Sequence, residues 1–186
     1  SDTQTVVVTI NGTNDAPVLS FSSGEDQGSV TEDDSILTTS GTLSSSDIDQ
    51  GSSATWSIDG SEVGTYGSIS VDENGSWTYT LNNGIDGESS VVQDLNEGQS
   101  VTDSFTVVVT DDNGASDTQT VVVTINGSND APVLSFSSGN DQGSVTEDTV
   151  LSTSGTLSSS DIDQNSDATW SIDGSEVGTY GSIAVD

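Results

Sequence analysis

Residues 103–125 read DSFTVVVTDDNGASDTQTVVVTI, and this stretch decides the fold. Phe105, Val107 and Val109 alternate with polar residues; past Asp111-Asp112-Asn113-Gly114 the alternation resumes at Val121, Val123 and Ile125. A period of two gives each run one buried and one wet face, the mark of a half-buried strand. Asp-Asn-Gly between two such runs is turn-forming sequence. Outward from here the same signals recur at short intervals and no helical periodicity interrupts them. Strands are predicted over 17–22, 28–31, 36–44, 54–59, 66–71, 76–81, 103–110 and 117–125. Trp77, Tyr79 and Leu81 share one face, with Trp56 and Ile58 placed to meet them, and Asn74-Gly75 predicts a hairpin. Short strands with these turns predict an all-β chain of antiparallel β-sandwich, immunoglobulin-like form. Tyr66 is the aromatic expected on the surface.

The chain also repeats itself. Residues 1–24 recur at 116–139 with one change, Thr13 to Ser128. DQGSVTED at 26–33 returns at 141–148, GTLSSSDIDQ at 41–50 returns at 155–164, and ATWSIDGSEVGTYGSI at 54–69 returns at 168–183. A spacing this long suits one small domain per repeat rather than a solenoid unit. Residues 1–15 then read as the last strand and linker of a preceding repeat. Residues 16–130 read as a complete sandwich, and 131–186 as the first half of the next. That half has no counterpart of the strands at 76–81, 103–110 and 117–125, and is expected to fold poorly alone. The chain reads as a piece of a longer tandem array.

Composition narrows the function. Among 186 residues there is no Lys, Arg, His or Cys, against 31 Asp and Glu, for a net charge of −31. Nucleic acids and anionic membrane surfaces are bound through basic side chains, so both are excluded as expected partners. The apolar runs are triplets such as Val6-Val7-Val8, too short for a helical span. Without His, Cys, Lys or Arg the chain has few general acid–base candidates, and no enzymatic activity is expected. A disulfide framework is impossible. Asn11-Gly12-Thr13, Asn74-Gly75-Ser76 and Asn126-Gly127-Ser128 match the glycan-acceptor pattern, yet Asn-Gly is first of all a turn.

With no cation in the chain, an acidic cluster is solvated, repelled by its neighbours or neutralised from outside. Asp47-Ile48-Asp49, repeated as Asp161-Ile162-Asp163, follows a predicted strand. Side chains at i and i+2 of an extended chain point the same way, so the two carboxylates converge. Two readings stand: solvated loop aspartates, or a pair bridged by a hard cation, for which the oxygen-rich coordination of Ca²⁺ is suited, with Mg²⁺ the competitor. An EF-hand is excluded, because the twelfth position from Asp47 is Ile58. Asn14-Asp15-Ala16-Pro17, repeated at Asn129-Asp130-Ala131-Pro132, is a stiff linker or an ordinary Asx turn before proline. Glu32-Asp33-Asp34, Glu97 and the Asp111 turn are further acidic candidates.

These motifs together carry a family resemblance. Val30-x-Glu32, Asp47-Ile48-Asp49, FTVVVTD at 105–111 and VVVTI followed by NDAPVL at 121–134 resemble a cadherin repeat. GTYGSISVDENGSWTYTL at 64–81 and the run from Asp94 to Val133 resemble the VCBS repeats of bacterial RTX adhesins. The resemblance implies tandem cadherin-like sandwiches forming the extender of a giant surface protein exported by type I secretion. It further implies Ca²⁺ between successive domains. The junction near residue 15 would use Asn14, Asp15, Asp47, Asp49 and Asp111. The junction near residue 130 would use Glu32 and Glu97 with Asn129, Asp130, Asp161 and Asp163. The implied partners are neighbouring repeats of the same chain. The NDAP linker is one residue shorter than the cadherin form, Asn96 stands where that family has Asp, and no GGxGxD nonapeptide occurs. Against the extender stand a glycan- or ligand-binding module and a surface-filament repeat.

Overall fold

A computed structural model describes residues 1–85 and 88–186. The chain divides into two compact units, residues 1–83 with 100–126, and residues 84–99 with 127–186. Neither contains a helix among the described residues.

The first unit holds eight strands: β1 (Val18–Phe21), β2 (Gln27–Thr31), β3 (Thr38–Ser46), β4 (Thr55–Asp59), β5 (Gly67–Val71), β6 (Ser76–Leu81), β7 (Ser100–Thr110) and β8 (Ser116–Asn126). All eight lie where the alternation predicts them. They form two four-stranded sheets, ordered β1-β3-β6-β5 and β2-β8-β7-β4. Leu43, Ile69, Trp77, Tyr79 and Leu81 from the first sheet are buried, as are Val30, Phe105, Val107, Val109, Val121, Val123 and Ile125 from the second. The Tyr79 and Phe105 rings meet at a centroid distance of 6.0 Å. The pairing is antiparallel except between β2 and β8, which run parallel with Gln27 opposite Val122 and Thr31 opposite Asn126. The antiparallel expectation missed this pair because strand parity is silent on direction. β1 lies on one sheet and β2 on the other, so the chain changes layers at residues 22–26 and β2 reaches β8 in the parallel sense.

Two hairpins use one device. In Asp72-Glu73-Asn74-Gly75, Asp72 Oδ1 accepts the N–H groups of Asn74 (2.8 Å) and Ser76 (2.9 Å), and Gly75 has φ 79°. In Asp111-Asp112-Asn113-Gly114, Asp111 Oδ1 accepts those of Asn113 (2.9 Å) and Ala115 (2.8 Å), and Gly114 has φ 91°. The asparagines stay right-handed and only the glycines enter the left-handed region.

The second unit holds β9 (Val133–Phe136) and β10 (Leu157–Ser160), paired antiparallel. Val133 lies opposite Ser160 as Val18 lies opposite Ser46, so the repeated sequence repeats its register. Its burial differs. Ile69 is 3% exposed whereas its copy Ile183 is 62% exposed, because residues 131–186 contain no counterparts of β6 to β8 to cover it.

Candidate functional site

The Asp-Ile-Asp motif is not extended. It bends directly after β3, and Asp47 Oδ1 accepts the backbone N–H of Asp49 at 2.8 Å while Oδ2 accepts the Ser52 hydroxyl at 2.9 Å. Where no Lys or Arg is available, the nearest donors for a carboxylate are backbone N–H groups, and an Asx turn supplies them. Asp49 Oδ2 in turn accepts the backbone N–H of Asp15 at 2.7 Å, tying linker to loop. The neighbouring Asn14 donates through Nδ2 to Asp111 Oδ2 at 2.8 Å and accepts from Asn113 Nδ2 at 2.7 Å. Asn14, Asp15, Asp47, Asp49 and Asp111 thus share one hydrogen-bonded neighbourhood, drawn from the linker, the β3–β4 loop and the β7–β8 hairpin. The hydrogen bond from Asn14, with backbone N–H groups of the turn, holds the Asp111 carboxyl below its ordinary value against the opposing cost of burial.

The second copy reproduces the turn. Asp163 N–H donates to Asp161 Oδ1 at 3.1 Å, the Ser166 hydroxyl to Asp161 Oδ2 at 2.7 Å, and Asp130 N–H to Asp163 Oδ2 at 3.0 Å. Asn129 Nδ2 donates to the Asp130 carbonyl at 2.8 Å. Asp163 is 7% exposed, and its Oδ1 is buried without a hydrogen-bond partner. The copies also agree at a strained position. Gly51 has φ 85° and the corresponding Asn165 has φ 59°, and these are the residue types that tolerate left-handed backbone.

Glu32 and Glu97 lie outside these turns in the sequence. Glu32 is buried just past β2, its N–H bonded to the Asn126 carbonyl at 3.0 Å. Glu97 is exposed on segment 88–99. Among the described residues no three carboxylates come close enough, as they stand, to hold a metal ion. The donor set is oxygen only: carboxylates, amide and hydroxyl oxygens, and carbonyls. That chemistry suits a hard divalent cation and offers nothing to a thiolate- or imidazole-seeking metal. The partnerless buried oxygen of Asp163 is an acceptor position of the same kind.

Sequence reasoning passed over Asp103. It lies on the buried face of β7 and accepts from the N–H groups of Thr65 (2.9 Å), Tyr66 (3.0 Å) and Gly67 (3.1 Å) and from the Tyr79 hydroxyl (2.8 Å). Its parity with Phe105, Val107 and Val109 was the available signal. Asp117 was also passed over; it ties β8 to β1 by accepting Leu19 N–H at 2.9 Å. Tyr66 is half-buried beside Asp103, not exposed, whereas its copy Tyr180 is fully exposed.

No curated protein matches the chain. Among solved structures it is similar to a nucleoside hydrolase-related hypothetical protein from Saccharophagus degradans, described as associated with carbohydrate metabolism. The identity is 19% and the TM-score 0.34, over 61% of this chain and 26% of that one, a likeness too distant to carry a functional argument. The bacterial cadherin-like domain family matches residues 14–127, from the Asn14 linker through the end of β8, and the chain belongs to that family.

Proposed function

We propose that this chain is a stretch of a non-enzymatic extender in a large secreted bacterial surface adhesin, with Ca²⁺ stiffening each domain junction. One observation carries the reading. Both Asn-Asp-Ala-Pro linkers are tied to their own Asp-Ile-Asp turn by the same bond, Asp15 to Asp49 and Asp130 to Asp163, in a chain with no cation to neutralise either. Asn14, Asp15, Asp47, Asp49 and Asp111 would hold the ion at the first linker. Asn129, Asp130, Asp161 and Asp163 would do so at the second, with Glu32 and Glu97 as further acidic donors of that junction. Bound Ca²⁺ supplies the positive charge the sequence lacks, so that carboxylates which repel one another share an ion.

The chain's own residues do the positioning. Pro17 and Pro132 restrict the linker backbone, and the Asx turns aim the carboxylates before any ion arrives. Extracellular modules of this kind bind at about 10⁻⁴ to 10⁻³ M, so calcium outside a cell fills them and cytosolic calcium does not. At a tenfold to hundredfold excess over Kd, each site adds about 1.4–2.7 kcal/mol. Such a difference favours a loose chain before export and a stiff one at the cell surface, with neighbouring repeats as its partners. Among the described residues no helix is long and apolar enough to cross a membrane.

The test is thermal unfolding in EDTA and across a Ca²⁺ titration, with Mg²⁺ as control. Tm is expected to climb with Ca²⁺ and to climb less in the double variant Asp161→Asn, Asp163→Asn. A Tm indifferent to Ca²⁺ returns the carboxylates to the status of hydrogen-bonded turn residues and ends the ion reading.

A further inference from the structure

Segment 88–99 belongs to the same compact unit as residues 127–186, although the chain runs from β6 through it into β7. It is pre-shaped by its own bonds. The Ser90 hydroxyl accepts the N–H groups of Val92 (3.3 Å) and Gln93 (3.1 Å), and the Ser89 hydroxyl donates to Asp94 Oδ1 at 2.8 Å. Val92, Gln93 and Leu95 are buried. Gly127 N–H donates to the Gln99 carbonyl at 2.9 Å, and a Cβ at Gly127 would run into the carbonyls of Leu95 and Asn96.

The segment then grips the second Asp-Ile-Asp turn at Gln164. Gln164 N–H donates to the Asp94 carbonyl at 3.4 Å, and the Gln164 carbonyl accepts Asn96 Nδ2 at 2.7 Å. The two bonds bracket Leu95 as the paired bonds of a parallel β-bridge would, with the Asn96 side-chain amide standing in for its backbone N–H. That backbone N–H is used elsewhere, on Gln99 Oε1 at 3.2 Å. An aspartate at 96 would have no donor to offer and would set a carboxylate against a carbonyl oxygen.

We propose that segment 88–99 is a metal-independent latch by which one repeat captures the next, with Asn96 the residue that selects the main chain of Gln164. The turn it captures is preformed. The same internal bonds form around Asp47 and Asp49, so the shape of the turn is set by bonds within its own motif. The latch leaves calcium a smaller task, since a turn already gripped by two bonds to the Gln164 main chain has less freedom for the ion to remove. This rests on the reading that residues 131–186 begin a neighbouring repeat.

The experiment is hydrogen–deuterium exchange at the Gln164 amide, read by NMR on the full chain in EDTA. The variants are Asn96→Asp and Asn96→Ala, with the indole N–H resonance of Trp77, bonded to the Glu25 carbonyl, reporting the sandwich. Both variants are expected to speed Gln164 exchange about tenfold, the scale of one lost hydrogen bond, with the Trp77 signal unchanged. Unchanged exchange in both variants overturns the latch. Loss of the Trp77 signal in both also overturns it, because Asn96 would then serve the sandwich itself. Since no metal is present, failure of the calcium titration leaves this result standing, and failure here leaves the titration standing.

Discussion

Asp103 and Tyr79 meet inside the sandwich, where the carboxylate gathers three backbone N–H groups and one phenol. This is how a chain without Lys or Arg keeps a buried acid: the missing positive charge is replaced by oriented dipoles. Asp103→Asn turns one end of the acceptor into a donor facing N–H groups. It is expected to cost about 3 kcal/mol, read as a lower urea midpoint, with Tyr66 released to solvent. Burial pushes the Tyr79 phenol above its ordinary 10.0, and the hydrogen bond to Asp103 pushes it further the same way. Below pH 10 the phenol is protonated whether the chain is folded or not, so its contribution is fully present. Above that value the unfolded chain ionises first and stability falls. Melting curves from pH 8 to 11 are expected to show this decline, and Tyr79→Phe to flatten it.

The two Asp-x-Asn-Gly hairpins place their strain on glycine. Gly114→Ala forces a side chain into left-handed backbone in open space and is expected to cost about 1–2 kcal/mol. Gly75→Ala carries the same strain and also drives a Cβ into the Leu43 carbonyl and the Trp56 ring, so its urea midpoint is expected to fall further. Gly51→Asn, the exchange the second copy makes naturally at Asn165, is expected to stay within about 1 kcal/mol of the parent. The aspartates of these elements share an acid dependence. Backbone N–H groups of Ser76 and Asn74 hold Asp72 below 3.8, the Asn14 amide leads in holding Asp111 there, and the N–H groups of Leu19 and Thr118 hold Asp117. What they contribute is present above pH 3.8 and is lost as the pH falls through the lower folded values. Acid titration of Tm is expected to bend downward in that window, and Asp117→Asn to soften the bend.

Over the whole molecule, one sequence takes two conformations. Residues 116–126 form β8, with Val121 and Val123 fully buried, while the identical residues 1–11 form no strand and leave Val8 76% exposed. Val123→Ala is expected to cost about 2 kcal/mol and Val8→Ala nothing measurable, a contrast that denaturation of the two variants checks directly. The difference is partnership. β8 has β7 along its full length and β2 on its other edge, and an isolated strand has no means of satisfying its backbone or covering its apolar face.

The sequence by itself determined every strand of the sandwich, because one buried face imposes alternation residue by residue and that alternation can be read without knowing the neighbours. The repetition of the two Asp-Ile-Asp motifs and their linkers was equally plain, but the bend that each motif makes was not, since the extended reading of i and i+2 takes no account of the Asx turn. Only the tertiary structure decided that β2 runs parallel to β8, that Asp103 is carried inside against the Tyr79 hydroxyl, and that Asn96 bonds to Gln164. Each of those depends on which distant backbone groups arrive beside a side chain, and periodicity holds no record of that. The same reason separates residues 1–11 from 116–126: a strand's pattern is its own, but its hydrogen bonds and its burial belong to the sheet it joins.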